Sequence, residues 1–196
     1  SRDDVCQTIV VISPDDREDF QRKFGANLAF MNVELAIGGA KRADSVRAGL
    51  EKITDNATHV AVHDAARPLV TPAEVDAVFA AAVESGAAIL AAPVTATLKR
   101  VADGKITATE SRDGLWGAQT PQVFEVGLLR RAHEEGANVP ATDDAQLVER
   151  LGEPVTVVEG SAENLKITTQ ADLRLAAAIL AARPAPKPAG GRNPFA

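Results

Sequence analysis

The residues that decide the fold are Val60-Ala-Val-His-Asp-Ala-Ala-Arg-Pro68, a short apolar run that ends at an acid. Asp64 follows the predicted strand, and Arg67 comes three residues after it. In an open α/β sheet, ligands bind in the crevice at the carboxyl ends of the strands. An acid there can hold a divalent metal ion, and an arginine can neutralise a phosphate. The stretch therefore predicts an α/β domain with a phosphate-handling site at a strand end.

A second charged segment, Glu163-Asn-Leu-Lys-Ile-Thr168, follows another apolar run at residues 155–158. Taken one at a time, Glu163 and Lys166 are also typical of an exposed surface, and Asp64 is also typical of a helix cap. Acids and basic residues gathered at two strand ends together favour a site for phosphoryl or nucleotidyl transfer. Magnesium in such sites binds one or two carboxylates plus the phosphates of the substrate.

The composition is that of one soluble globular domain. The chain has 196 residues, 45% of them hydrophobic and 24% charged, with a net charge of −6. The negative charge argues against broad nucleic-acid binding, which needs a basic surface. No apolar run approaches the roughly 20 residues of a membrane span, and no signal peptide is visible. One cysteine, Cys6, fits a reducing compartment. We expect a cytoplasmic protein that binds neither nucleic acid nor membranes.

Short β-branched runs alternate with segments of helical period along most of the chain. This pattern predicts a mostly parallel sheet flanked by helices. The predicted strands are residues 8–12, 33–37, 59–62, 88–92 and 155–158, and the predicted helices are residues 15–24, 42–53, 72–85, 126–135, 143–151 and 170–182. Thr71, Pro72 and Glu74 provide an N-cap, a first-turn proline and a capping box for one helix. Thr142 and Thr169 precede two other helices in the same way.

Residues 93–124 break the alternation, and part of this segment is typical of a β-hairpin. Two alternating runs, 95–101 and 105–110, flank the tight-turn dipeptide Asp103-Gly104. A hairpin that projects from an α/β domain has few core neighbours of its own. We therefore expect the 94–122 arm to pack against a second subunit in a homodimer. Residues 1–182 form the predicted domain, and the Pro-rich residues 183–196 form a tail or linker.

Neither of the two common Gly-rich phosphate loops occurs in the chain. Gly38 and Gly39 follow a strand and open a helix, so their backbone amides could approach a phosphate or a ribose. A glycine pair in this place is also typical of a simple turn. His59, His63 and His133 lack metal-ligand spacing, and the nucleophile elbow of serine hydrolases is absent. Zinc chemistry and Ser/His/Asp catalysis are therefore not predicted.

Eight short motifs occur in one order along the chain. They are Gly38-Gly39-Ala-Lys-Arg42-Ala-Asp-Ser45-Val-Arg-Ala-Gly49-Leu, His63-Asp64-Ala-Ala-Arg67-Pro68, Ala92-Pro93-Val, Thr97-Leu-Lys-Arg100, Arg112-Asp-Gly-Leu-Trp116, Gln119-Thr120-Pro121-Gln122, Thr142-Asp143-Asp144 and Glu163-Asn164-Leu-Lys166-Ile-Thr168. Together they closely resemble the 2-C-methyl-D-erythritol 4-phosphate cytidylyltransferases of the non-mevalonate isoprenoid pathway, over roughly residues 8–182.

The resemblance implies a Rossmann-like nucleotidyltransferase domain, a three-layer sandwich with a protruding β-arm that is usually homodimeric. It implies Mg²⁺-dependent transfer of CMP from CTP to methylerythritol phosphate, with release of pyrophosphate. The acceptor phosphate would attack the α-phosphorus directly. The protein's task is then positioning and charge neutralisation, without a covalent intermediate.

The resemblance also implies a role for each matching residue. The nucleotide-binding set is Gly38, Gly39, Arg42, Ser45, Asp64 and Ala65. The substrate-binding set for the acceptor is Arg67, Thr97, Arg112, Thr120 and Thr142, of which Thr97 and Arg112 would reach the site of the other subunit. The catalytic set is Lys166, Asp64 and Arg112, and the metal-side acids are Asp64 and Glu163.

The chain departs from the family at its beginning. The family starts with a strand and a Gly-rich loop that grips the CTP phosphates, whereas this chain opens only a few residues before its first predicted strand. We expect it to be a piece of a longer enzyme that lacks this strand and loop, and loss of a central strand would expose sheet edges. Smaller departures are Ala40, where the family often has an acid, and Glu163, where aspartate is also common.

Two alternatives stay open at this point. A cytidylyltransferase for another polyol phosphate, such as ribitol 5-phosphate, would share most of the motifs. It would differ around Thr97 and Arg112, because that region contacts the acceptor. A truncated, catalytically inactive module that binds a nucleotide weakly or serves in dimerisation would also fit a chain without a phosphate loop.

Overall fold

The structure is a computed structural model that describes residues 2–137 and 139–184. Its strands are β1 (Thr8–Ile12), β2 (Val33–Ile37), β3 (His59–Val62), β4 (Ala87–Pro93), β5 (Leu98–Ala102), β6 (Lys105–Glu110), β7 (Trp116–Glu125) and β8 (Thr156–Glu159). Its helices are α1 (Arg17–Phe30), α2 (Arg42–Leu50), α3 (Pro72–Ser85), α4 (Val126–Glu135), α5 (Asp144–Arg150) and α6 (Gln170–Ala182). The predicted tail lies, from residue 185 onward, outside the described residues.

Three sheets make up the strand framework. β3, β7, β4 and β8 form a four-stranded sheet in that order, in which β7 runs antiparallel to its neighbours and β8 is parallel to β4. β1 and β2 pair in parallel as a sheet of their own, and β5 and β6 form the antiparallel arm. Within residues 2–137 and 139–184 no ladder joins β1 to β3, so both are edge strands.

The core lies on both faces of the four-stranded sheet. Neighbouring residues of a strand point to opposite faces, so Ile89 and Phe124 pack on one side while Leu90 and Val123 pack on the other. Helices α2, α4 and α5 cover the Phe124 face, and α3 covers the Val123 face. The result is the predicted three-layer α/β arrangement.

Helix α2 connects the two larger sheets. It packs against β1 and β2, and its last residue, Leu50, belongs to the core beneath the four-stranded sheet. The glycine pair before this helix is tightly enclosed. A Cβ atom on Gly38 would lie 2.5 Å from Ser45 Oγ, and one on Gly39 would lie 2.5 Å from Asp44 Cβ. A side chain at either position would therefore force Ser45 or Asp44 to shift, because the chain turns closely over the first turn of α2.

Most of the predicted elements are confirmed. Strands 8–12, 33–37 and 59–62 and helices 72–85, 126–135 and 170–182 have the predicted bounds. The others shift by one to three residues, except that α1 runs six residues past its predicted end at residue 24. The capping box of α3 is present, since the Glu74 amide donates to Thr71 Oγ1 and the Thr71 amide donates to the Glu74 carboxylate. Helix α5 begins differently: Asp143, not Thr142, is the N-cap, because its carboxylate accepts from the Gln146 amide.

Strand β7 is the main element absent from the sequence-based prediction. Its second half is buried on both faces, and three of the buried residues are the polar Gln119, Thr120 and Gln122. Buried polar side chains are hydrogen-bonded to other parts of the molecule. Such a strand shows no apolar alternation, so periodicity alone does not detect it.

The helices are short. Helices α1 and α3 have 14 residues each. A helix that spans a bilayer needs about 20 predominantly apolar residues. None of the helices in the described ranges has the length and apolar character to do so.

Candidate active site

The charged residues that follow β3 and β8 form one cluster, the Asp64 cluster, made of Asp64, Arg67 and Lys166. The Asp64 carboxylate lies 3.0 Å from Lys166 Nζ and 3.6 Å from Arg67 Nε. Asp64 and Arg67 lie in the turn after β3, whereas Lys166 lies in the loop between β8 and α6. The fold thus brings together two segments that are far apart in sequence.

Hydrogen bonds to backbone carbonyls hold these two segments against each other and against β7. The Ile167 amide donates to the Ala66 carbonyl at 2.8 Å, and the Arg67 guanidinium donates to the Asn164 carbonyl at 2.7 Å. The Asn164 side chain is fully buried, and its amide donates to the Thr120 carbonyl at 2.9 Å. The loop that carries Lys166 is therefore fixed at both the Asp64 turn and β7.

His63 and Thr120 fix the turn itself. The Asp64 amide donates to Thr120 Oγ1 at 3.0 Å, and the same hydroxyl lies 3.0 Å from His63 Nδ1. His63 Nε2 lies 3.1 Å from the Arg67 carbonyl. Because a carbonyl only accepts, Nε2 carries a proton. Burial lowers the pKa of His63, against the opposing hydrogen bond to the Arg67 carbonyl. A neutral His63 then accepts a hydrogen bond from the Thr120 hydroxyl at Nδ1.

The two cations of the cluster differ in accessibility. The Arg67 side chain is 13% exposed, and its two terminal nitrogens donate to the carbonyls of Asn164 and Ala118. The Lys166 side chain is 48% exposed and is paired with Asp64. Arg67 is thus held by the backbone of its neighbours, whereas Lys166 can turn its ammonium group toward a phosphate without breaking a buried contact.

Glu163 has a different ionic partner from Asp64. Its carboxylate lies 3.6 Å from Arg183, which also donates to the Leu69 carbonyl. Arg183, assigned to the tail from the sequence, thus contacts the body of the domain. In the described part of the chain, no group of three His, Cys, Asp or Glu side chains is placed to hold a metal ion. Mg²⁺ can be bound through one or two carboxylates beside substrate phosphates, and metal binding by Asp64 and by Glu163 stays a prediction.

The residues predicted to bind the nucleotide form a second group at the start of α2. The Gly38 amide donates to the Ile12 carbonyl at 2.8 Å, which joins the loop after β2 to the end of β1. Ser45 Oγ lies against Gly38. Arg42, the first residue of α2, lies 2.7 Å from the carboxylate of Asp144. Ala65 belongs to the other group, since it lies exposed in the turn after β3.

Strand β7 and helix α5 link the two groups. Gln122 donates to the Asp143 carboxylate at 2.8 Å and so ties β7 to the start of α5. Thr120, on the same strand, contacts the Asp64 amide. Thr142 lies exposed just before α5. A continuous set of contacts therefore runs from α2 through α5 and β7 to the turn after β3.

Thr97 and Arg112 lie on the arm segment and are exposed. The Arg112 guanidinium donates to the Thr95 carbonyl. Within the described ranges, no hydrogen bond or ion pair connects either side chain to the Asp64 cluster. The structure therefore does not bring them to that cluster within one chain, and their role toward a second subunit stays a prediction.

Several polar residues that shape the site received no role from the sequence. The buried ones are Gln119, Gln122, Asn164, His133 and Asp144, and the exposed His63 joins them through its contact with Thr120. All but His133 lie inside the motifs quoted above, beside residues that were assigned a ligand. Their position within those motifs was the one sign in the sequence that they belong to the site.

Comparison with known proteins decides the family. The family model described as IspD, 2-C-methyl-D-erythritol 4-phosphate cytidylyltransferase, matches residues 1–182. The chain belongs to this cytidylyltransferase family. A family member from Rhodopirellula baltica is 45% identical over 190 residues, covering 91% of this chain and 78% of that protein. A member from Bacillus velezensis is 46% identical over 181 residues, covering 90% and 78%.

The fold comparison agrees with the sequence comparison. The crystal structure of the 2-C-methyl-D-erythritol 4-phosphate cytidylyltransferase from Thermus thermophilus matches with a TM-score of 0.72 at 41% identity. The match covers 76% of this chain and 73% of that one. The predicted nucleotidyltransferase fold and the predicted enzyme family are both confirmed.

Proposed function

We propose that this chain transfers CMP from CTP to 2-C-methyl-D-erythritol 4-phosphate, giving the diphosphocytidyl product and pyrophosphate for isoprenoid precursor biosynthesis. Family membership supports the reaction, and the 3.0 Å contact between Lys166 Nζ and the Asp64 carboxylate supports its location. The half-exposed ammonium of Lys166 provides a positive charge that can reach a reacting phosphate and neutralise it.

The chemistry requires charge neutralisation more than covalent participation. An oxygen of the acceptor phosphate forms a bond to the α-phosphorus as the bond from that phosphorus to pyrophosphate breaks. Lys166 is a compact point charge on a flexible stem, so it can follow the negative charge on the transferring group. Asp64 sets the starting position of Lys166, while Thr120 and His63 keep the Asp64 turn in place.

Mg²⁺ is the metal that these residues fit. It takes oxygen ligands and is bound through one or two carboxylates plus substrate phosphates. Asp64 would hold it, because its carboxylate is 21% exposed and lies in the turn after β3. When bound, the ion would neutralise charge on the phosphate oxygens of CTP.

We also propose that the arm completes the acceptor site of a second subunit in a homodimer. Val101 and Ile106 of the arm are 57% and 65% exposed, and Trp116 beside it is 43% exposed. A two-stranded hairpin is marginally stable alone in water, and apolar side chains at such exposure favour a protein surface as their partner. Arg112 and Thr97 would then meet the acceptor phosphate from the neighbouring subunit.

The direct experiment is a pyrophosphate-release assay with CTP, Mg²⁺ and methylerythritol phosphate. The proposal predicts release that stops on chelation of Mg²⁺ and is much slower with ribitol 5-phosphate as acceptor. Equal rates with both acceptors would refute the substrate assignment. No release from a chain that is folded by circular dichroism would refute the enzymatic proposal in favour of an inactive nucleotide-binding or dimerisation module.

A further inference from the structure

Three charged or ionisable side chains meet in the interior between α2, α4 and α5. Asp144 of α5 is fully buried and His133 of α4 is 2% exposed. His133 Nε2 lies 2.8 Å from one Asp144 oxygen, and Arg42 lies 2.7 Å from the other. The contact with Arg42 is an ion pair between a guanidinium nitrogen and the second carboxylate oxygen.

The buried carboxylate is ionised and oriented by these partners. Burial by itself raises the pKa of Asp144, but the hydrogen bond from His133 and the charge of Arg42 outweigh it and hold that pKa below its usual range. Because an ionised carboxylate only accepts, His133 donates from Nε2. One Asp144 oxygen is thus held by His133, which leaves the other directed at Arg42.

The cluster lies where the two halves of the candidate site join. Arg42 begins α2, directly after the enclosed glycine pair Gly38-Gly39. Asp144 begins α5, which Gln122 ties to β7. The Arg42 side chain is 39% exposed although its guanidinium is paired with a buried acid. A long side chain restrained in this way loses less conformational entropy on binding a ligand than a free one.

We infer that Asp144 is a positioning residue of the nucleotide site, which holds Arg42 and with it the first turn of α2 in the orientation that receives CTP. The inference rests on the proposed function, because it concerns the same site. Arg42 then contributes to CTP binding only when Asp144 holds it in place. Removing the acid therefore lowers CTP affinity as much as removing the arginine does.

A double-mutant cycle in CTP affinity tests this inference. Asp144→Asn keeps the shape and an oxygen for His133 but removes the charge that holds Arg42, and Arg42→Met removes the other partner. With Mg²⁺·CTP titrated calorimetrically into the full chain, each variant should bind about tenfold more weakly, and so should the double variant, because coupled residues are not additive. The KM of the acceptor should stay unchanged, which general damage to the fold would not allow.

The control is Arg47→Met, which removes a partly exposed arginine of the same helix that pairs with Asp44 at 3.4 Å. It should leave the CTP dissociation constant unchanged. If Asp144→Asn does not fold, Asp144→Glu keeps the buried charge and displaces the carboxylate, and it should weaken CTP binding several-fold. Asp144 variants that bind CTP like the wild type would overturn the inference. So would a double variant whose CTP dissociation constant rises by the product of the two single increases.

The same titrations separate this inference from the proposed function. Coupled losses of CTP affinity without pyrophosphate release would refute the proposed reaction and support the positioning role of Asp144. Turnover by the wild type with uncoupled variants would refute the positioning role alone. A wild-type chain that binds no CTP would refute both.

Discussion

The Asp64 cluster and the arm formed by β5 and β6 both carry residues assigned to catalysis or substrate binding, but the chain supports them very differently. In the cluster, Arg67 is 13% exposed and donates to carbonyls from two other segments. On the arm, the ion pair of Arg100 and Glu110 joins side chains that are 70% and 42% exposed. The cluster is preorganised within one chain, whereas the arm has no comparable support from the described body of the domain.

This difference indicates how catalysis and substrate recognition are divided between the Asp64 cluster and the arm. Charge neutralisation at a transferring phosphate needs donors fixed before the reaction begins, and of the two regions only the Asp64 cluster offers them. Acceptor recognition can be supplied by a surface that is completed on assembly. The arm therefore suits recognition, and each prediction below tests one side of this division.

The largest effect is expected from the cluster. Lys166→Ala should reduce kcat by about 100- to 1000-fold, the range for losing one charge-stabilising donor from an active site, because no other half-exposed cation among the described residues pairs with Asp64. Steady-state pyrophosphate release measures it. The change should leave the circular-dichroism melting curve nearly unchanged, since Lys166 is 48% exposed.

The matched control for Lys166→Ala is Lys23→Ala, which removes an exposed lysine paired with Asp19 on α1. It should leave kcat at the wild-type value. Equal losses in the two variants would mean that net charge, and not the position of Lys166, supports the reaction.

The next effect concerns the support beneath the cluster. Asn164→Ala should lower the free energy of unfolding by about 2 kcal/mol, because it leaves the buried Thr120 carbonyl without its donor. Urea unfolding measures this loss. Asn56→Ala, in the loop before β3, should stay within about 0.5 kcal/mol of the wild type. A similar stability for both variants would contradict the buried network that we describe.

A smaller effect is expected from the arm. Arg112→Ala should raise the KM of methylerythritol phosphate about tenfold, the cost of roughly one charge-assisted hydrogen bond, and leave both the KM of CTP and the stability unchanged. Initial rates at varied acceptor concentration measure it. Arg100→Ala, on the same arm, should have no effect on either KM. A change confined to the KM of CTP would place Arg112 on the nucleotide side instead.

The smallest effect is on acid stability. Hydrogen bonds from Thr168 and Thr169 lower the pKa of Asp172, at the start of α6, to about 2. Its folded pKa lies below the ordinary value near 4, so its contribution is present above pH 4 and is lost as the pH falls toward 2. The wild-type free energy of unfolding should fall over this range, and that of Asp172→Asn should fall less steeply. Parallel curves would contradict the assignment.

The sequence alone predicts the elements whose signals are local. Thr71 and Glu74 give the start of α3, and apolar runs give β1, β2 and β3, because caps and short strands are encoded by adjacent residues. The meeting of Asp64 and Lys166 is also predictable, since both follow strands of an α/β sheet and the carboxyl ends of such strands share one edge.

Other features depend on tertiary contacts that no local pattern encodes. Strand β7 buries Gln119, Thr120 and Gln122 with partners from distant segments, which removes the alternation that would reveal it. The pairing of Glu163 with Arg183 depends on where α6 ends. The burial of Asp144 depends on how α2 and α4 pack, so a sequence with three consecutive polar residues at 142–144 gives no sign of which one points inward.

The most direct test of the division between cluster and arm mixes two impaired variants. In a heterodimer of Lys166→Ala and Arg112→Ala, one site has both defects and the other has an intact cluster and an intact arm. With random exchange of subunits in an equal mixture, about a quarter of all sites are intact. At acceptor concentrations well below its KM, the mixture should therefore regain about a quarter of wild-type activity. Activity no higher than the mean of the two separate variants would contradict the account.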